Sequence, residues 1–123
     1  MALNKTILIV DDSASLRQVV AITLRGAGYD VLEAGDGKDA LAKLTGQRVH
    51  LIISDVNMPN MDGITFLKEV KKNPHYRFTP VVMLTTEGSE DKKRLGQEAG
   101  AKAWMVKPFQ PQQMLAAVAK LVM

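Results

Sequence analysis

Ile7-Leu8-Ile9-Val10-Asp11-Asp12-Ser13 is the stretch on which the fold turns. Four consecutive apolar residues stop abruptly at two carboxylates and a serine. An apolar run without polar alternation suits a strand covered on both faces, as in a parallel sheet. Leu51-Ile52-Ile53 and Val81-Val82-Met83-Leu84 repeat the pattern. Val31-Leu32-Glu33-Ala34 is more polar, and Ala103-Trp104-Met105-Val106 is short and mixed, so both read as edge strands.

Helical patterns fill the intervals. Leu16, Val19, Val20, Leu24 and Ala27 recur at helical spacing, with Gly28 placed to end the helix. Ala40, Leu41 and Leu44 make a second helix, stopped near Gly46, and Ile64, Leu67 and Val70 a third, ended by Asn73-Pro74. Glu90 to Ala99 offers only Leu95 and Ala99 as an apolar stripe and carries Gly96 inside, making it the weakest helix. Gln112 to Val122 is the last, with Pro111 near its start. Its stripe of Leu115, Val118 and Leu121 or Val122 should cover the sheet. Ala116, Ala119 and Met123 would then face outward as a flat apolar patch with Trp104 near its edge.

Five strand–helix units in so short a chain imply an α/β fold: a doubly wound five-stranded parallel sheet with helices on both faces and right-handed crossovers. The three most apolar strands belong in the centre. The order 2-1-3-4-5 satisfies this and is taken by analogy with flavodoxin-like sheets. Residues 1–123 read as one domain, without linker, low-complexity segment or repeat.

The composition, 46% apolar and 24% charged, is that of a globular protein. The absence of cysteine excludes disulfides and thiolate metal sites. Residues 1–6 lack the form of a signal peptide, and no apolar run approaches the ~20 residues that span a bilayer. A cytoplasmic protein without membrane insertion is expected. Net charge is +3, but the basic groups Lys68, Lys71, Lys72 and Lys92, Lys93, Arg94 have no interleaved aromatics for base stacking. They read as solvated helix faces, so no nucleic-acid partner is expected. A mildly basic surface would favour an acidic protein partner.

The polar residues that need explanation all follow apolar strands: Asp11 and Asp12 the first, Asp55 the third, Thr85 the fourth, Lys107 the fifth. Each has a bland reading. Asp11 or Asp12 could cap the first helix, as could Ser13. Asp55 could open a turn before Asn57 and Pro59. Thr85 could satisfy loop backbone, and Lys107 could be a lone surface charge. Taken together, four strands place them on the carboxyl edge of a parallel sheet, where ligands bind at the point of strand-order reversal. Three close carboxylates repel and need a counter-charge. An oxygen-rich, sulfur-free, water-accessible cluster suits Mg²⁺. Lys107 offers a second positive charge and Thr85 a hydroxyl donor for phosphoryl oxygens. These are the parts of phosphoryl transfer by positioning and charge neutralisation, with an aspartate as nucleophile.

Three segments carry a family resemblance: Ile7 to Ser13, Ser54-Asp55-Val56-Asn57-Met58-Pro59 through Asp62-Gly63, and Val106-Lys107-Pro108-Phe109. They resemble the signature segments of bacterial response-regulator receivers, and the similarity runs over essentially the whole chain. Among receivers the chain is similar to the stand-alone, CheY-like chemotaxis type, which lacks an output domain. The resemblance implies that Asp55 accepts phosphate from a histidine kinase. It implies that Asp12, Asp55 and the backbone carbonyl of Asn57 bind Mg²⁺, with Asp11 acting largely through water. Thr85 and Lys107 would hold the phosphoryl oxygens, the Lys107-Pro108 bond would be cis, and Asn57 and Glu87 would set phosphate lifetime. Thr85 and an aromatic before the lysine would form the switch. That aromatic is usually Tyr or Phe and here is Trp104, while Thr86 stands where a small residue is common. The implied target, such as a flagellar motor switch, would dock on the fourth helix, fifth strand and fifth helix. Phosphorelay and phosphate-sink roles use the same chemistry.

A Mg²⁺-dependent aspartyl phosphatase would use the same metal and nucleophile. Such enzymes need an acid/base carboxylate two residues after the nucleophile, where this chain has Asn57, and a cap for which no segment is spare. The expected protein is therefore a signalling receiver rather than an enzyme, catalysing only its own phosphorylation and dephosphorylation.

Overall fold

The structure, a computed structural model, describes residues 5–85, 90–107 and 109–122. Thr86, Glu87, Pro108 and Met123, and with them the proposed cis bond, lie outside the described residues. The elements alternate: β1 (Thr6–Val10), α1 (Ala14–Gly26), β2 (Asp30–Ala34), α2 (Gly37–Lys43), β3 (Leu51–Asp55), α3 (Gly63–Lys72), β4 (Val81–Thr85), α4 (Glu90–Ala99), β5 (Ala103–Val106) and α5 (Pro111–Leu121). All four strand pairings are parallel and the sheet order is β2-β1-β3-β4-β5. The two polar strands are the edges, and the three apolar runs are central and buried on both faces.

Alternation of side chains along each strand divides the core into two layers. Ile7, Ile9, Leu51, Ile53, Val82 and Leu84 face α1 and α5, meeting Val20, Ala21, Leu24, Met114 and Val118. Leu8, Val10, Ile52, Val81 and Met83 face the other way, meeting Ala40, Phe66, Leu67 and Val70 of α2 and α3. Ser13 caps α1, its Oγ accepting from the Leu16 amide at 3.3 Å. Asp36 and Asp62 cap α2 and α3 in the same way. Gly28, at φ +96°, carries the chain out of α1 in a conformation that favours glycine.

Helix faces differ in detail from the sequence pattern. On α1 the buried stripe is Val20, Ala21 and Leu24, leaving Val19 exposed (54%) along with Ala27. On α3, Phe66 is fully buried beside Leu67 and Val70. On α5, Met114 joins Val118 as the deep pair, while Leu115, Leu121 and Val122 are half-buried; Ala116 and Ala119 do face outward. The largest departure is on α4. Leu95, expected inside, is exposed, and Gly96 is the buried residue. The cause is Trp104, whose ring would lie only 2.6 Å from a Cβ at position 96. The indole fills a notch that only glycine leaves open, so α4 turns Gly96 rather than Leu95 towards β5. Trp104 therefore belongs to the layer of α3 and α4, not to the edge of the α5 patch on the opposite face. Its Nε1 is buried without a hydrogen-bond partner among the described residues.

Candidate functional site

The carboxyl ends of four strands, β1, β3, β4 and β5, build a pocket of charge at one edge of the sheet. Asp11 follows β1 and is buried. One of its carboxylate oxygens accepts from the Ser13 amide at 2.8 Å, and the other lies 3.2 Å from Lys107 Nζ. Asp55 ends β3, and its Oδ1 accepts from the Val56 amide at 2.8 Å. Its Oδ2 lies 3.2 Å from the same Lys107 Nζ. Lys107 thus bridges the two buried carboxylates. Its position follows from β5 pairing with β4: Thr85 stands opposite Val106, and the Lys107 amide donates to the Thr85 carbonyl at 2.6 Å. Thr85 is itself buried. Asp12, one residue beyond Asp11, points to solvent.

Asp11, Asp12 and Asp55 offer carboxylate oxygens that all lie within 4.8 Å of one another. The sequence-expected cluster is therefore brought together, and the donor set is all oxygen. Such a set fits Mg²⁺, which takes few carboxylates and keeps several waters. The exposed position of Asp12 beside two buried partners leaves a side for those waters. The electrostatics agree. Burial raises the Asp55 carboxyl above its ordinary value; Lys107 opposes this, while the nearby Asp11 charge adds to it. A second cation would relieve both the burial and the repulsion.

Ser13 caps α1, so Asp12 is free of that task, whereas Asp11 accepts from the Ser13 amide just before the helix. Asn57 is exposed just beyond β3. Gly63 is part of the frame: a Cβ there would lie 2.0 Å from the Asp55 carbonyl oxygen. Its amide donates to Val56 at 2.8 Å, so the start of α3 closes directly under the Asp55 loop.

Arg17 was not singled out in the sequence. Its Nη1 donates to the Asp11 carbonyl at 2.6 Å and its Nε to Glu33 at 3.3 Å. It ties the first turn of α1 to the ends of β1 and β2 and holds the backbone that aims Asp11. The Asp36–Asn60 link was missed as well. Asn60 Nδ2 donates to Asp36 at 2.8 Å, holding the loop after β3 with Asn60 at φ +67°.

Fold and site together define an α/β module that holds an acidic cluster at the carboxyl edge of a doubly wound parallel sheet. The chain belongs to the response regulator receiver domain family, whose model matches residues 7–119. It is a receiver of two-component signalling, a class of signalling proteins rather than classical enzymes. The fold superposes on the chemotaxis protein CheY4 of Vibrio cholerae with a TM-score of 0.93 and 48% identity, covering 98% of this chain and 100% of that one. The chemotaxis protein CheY1 of Helicobacter pylori is 39% identical over 108 residues, 86% of this chain and 87% of that protein. The phosphate regulon transcriptional regulatory protein PhoB of Pseudomonas aeruginosa is 39% identical over 113 residues, 92% of this chain. The chain spans about half the length of that relative, 49%. No described helix is long and apolar enough to cross a membrane.

Proposed function

We propose that this chain is a single receiver domain that takes a phosphoryl group on Asp55 with Mg²⁺ and changes partner as a result. The observation that carries the reading is the Lys107 bridge between Asp55 and Asp11 beside the exposed Asp12. In this reading Asp11, Asp12, Asp55 and the Asn57 carbonyl hold the ion. When bound, Mg²⁺ neutralises charge on the carboxylates and on the phosphoryl oxygens. An Asp55 carboxylate oxygen attacks phosphorus, the P–N bond of a kinase phosphohistidine breaks, and the imidazole leaves with its electron pair and picks up a proton. The product is an acyl phosphate. Lys107 moves from bridging two carboxylates to holding a phosphoryl oxygen, and the Thr85 hydroxyl holds another. Those contacts would draw on Thr85 and Trp104 as the switch. Asn57 and Glu87, the latter outside the described residues, would govern hydrolysis.

Chemotaxis is the role best supported, because similarity to the two chemotaxis proteins runs over nearly their whole lengths. On this reading the protein acts in the cytoplasm and its target, such as a flagellar motor switch, docks on α4, β5 and α5. A phosphate sink or phosphorelay intermediate would share the chemistry but show no phosphorylation-dependent affinity for a motor component.

The test is Mg²⁺-dependent labelling with a small acyl phosphate, followed by mapping of the modified residue. Asp55→Asn is expected to abolish stable labelling and keep the fold, since the amide is nearly isosteric but far less nucleophilic. Equal labelling of the variant at the same position would refute the assignment.

A further inference from the structure

The two edges of the sheet carry opposite charge. The carboxyl edge holds the acidic site. At the opposite edge, where the strands begin, stand Lys5 before β1, Arg48 and His50 before β3, Arg77 before β4 and Lys102 before β5. The His50 imidazole is held below its ordinary value by burial and by the charges of Lys5 and Arg48. The Lys71 ammonium is lowered by burial and by Lys102. In both groups burial acts first and nearby cations second. Helix C-termini gather at this edge and tolerate cations, but that does not account for what lies among them.

Between the loop before β4 and the loop before β5 is a groove of about 370 Å³ lined by Lys71, Arg77, Phe78, Pro80, Lys102 and Leu121, with Gly100. Phe78 is 75% exposed, the most exposed of the large apolar side chains among the described residues. The Arg77 guanidinium lies 4.7 Å from its ring centroid, covering one face of the ring and leaving the other open. Lys71 Nζ donates to the carbonyls of Arg77 at 3.1 Å and Thr79 at 2.8 Å, which fixes the loop that presents Phe78. The Glu69 carboxylate nearby on α3 is taken by Lys72 at 3.5 Å. Asp30, which begins β2, stands at the far side of the sheet.

We propose that this groove docks an acidic segment of a partner protein. One apolar side chain of the segment would lie against Phe78 and Pro80, and its carboxylates would meet Lys71, Arg77 and Lys102. Charge complementarity selects the occupant, since a carboxylate relieves the like-charge repulsion while the apolar contact covers an aromatic otherwise left in water. Nucleic acid is the poorer fit: it calls for several stacking aromatics, and the one present is already covered on one face by Arg77. Because the groove lies at the edge opposite Asp55, docking would be independent of phosphorylation and would anchor the receiver whether or not it is modified.

The experiment titrates the isotope-labelled chain with three probes, followed by amide NMR. They are a short peptide of Asp, Glu and Ser with a central Leu-Phe pair, the same peptide with Ser in place of the pair, and a single-stranded oligonucleotide. The Leu-Phe peptide is expected to shift the amides of residues 77–79 and 100–102. Its affinity should fall with salt, and by about tenfold or more in Phe78→Ser and in Lys102→Glu. A phosphoryl mimic with Mg²⁺ should leave it unchanged. Thermal melts and unaltered acyl-phosphate labelling establish that both variants are folded, and labelling also separates this proposal from the Asp55 reading. No shift at this edge at millimolar peptide overturns the proposal. So does equal binding of the two peptides, undiminished binding by both variants, or tighter binding of the oligonucleotide.

Discussion

Asp11 serves two neighbours at once: one oxygen takes the Ser13 amide that opens α1, and the other faces Lys107. The site is therefore not an appendage to the fold, since the same carboxylate shapes the backbone and meets the site lysine. The residue at the other edge that invites a measurement is His50. Its Nδ1 accepts from the Thr6 amide at 3.0 Å, an acceptance only the unprotonated nitrogen can make. The folded state lowers the His50 pKa, chiefly by burial and then through Lys5 and Arg48. A base with a depressed folded value is protonated more readily when unfolded, so stability is full above the ordinary histidine range and is lost as pH falls through it towards the folded value. We predict a falling melting temperature from pH 7.5 to about 5.5, with part of the slope removed in His50→Asn, whose side-chain carbonyl can still accept from Thr6. An identical slope in that variant would place the effect on other groups. Of the site residues, the strand-end acids, Thr85 and Lys107 were legible because each interrupts an apolar run. Arg17 was not, since a lone arginine on a polar helix face looks like every other solvated cation until its carbonyl partner is seen.

Elements were legible where apolar period and stop signals agree. The three central strands, the cap of α1 and the end of α3 at Asn73-Pro74 follow that rule. Helix rotation was legible only where side-chain size leaves no choice. On α1, Val19 and Val20 both fit the helical period, and packing buried the second. On α4, hydrophobicity favoured Leu95, but the shape of Trp104 favoured glycine at 96. This gives a prediction: Gly96→Ala should expel the indole. Alanine gains up to about 1 kcal/mol in helix propensity, against about 1–3 kcal/mol for overpacking a fitted contact. Net destabilisation is expected, with red-shifted emission and easier quenching of the only tryptophan in the chain. Unchanged emission with a higher melting temperature would show that the notch is not tight. A second expectation concerns α4 as a whole. Anchored by Gly96 and Ala99 rather than by a leucine, it buries less apolar surface than α1, which places it among the elements that open locally. Hydrogen exchange should open residues 93–99 before Val20 to Leu24 of α1, and the reverse order would contradict this.

At the scale of the whole molecule, the fold pays for its acidic site by holding three carboxylates together on one sheet edge. The unfolded chain has no such cluster, because Asp55 is far in sequence from Asp11 and Asp12. A cation that binds the cluster therefore binds the folded state alone and must raise stability. At a hundredfold excess over its dissociation constant the gain is about 2.7 kcal/mol. The variant that isolates this effect is Asp12→Ala. Asp11 and Asp55 each meet Lys107, so removing either also frees a buried ammonium from a partner. Asp12 is exposed, and α1 is capped by Ser13 rather than by Asp12. Its loss should leave the melting temperature without metal nearly unchanged and erase most of the Mg²⁺-dependent rise. A titration of melting temperature against Mg²⁺ for parent and variant reads both quantities together. If the variant keeps the full rise, Asp12 is not a ligand. If the parent shows none, the cluster is a charged edge balanced by Lys107 alone, and the phosphoryl-transfer reading loses its metal.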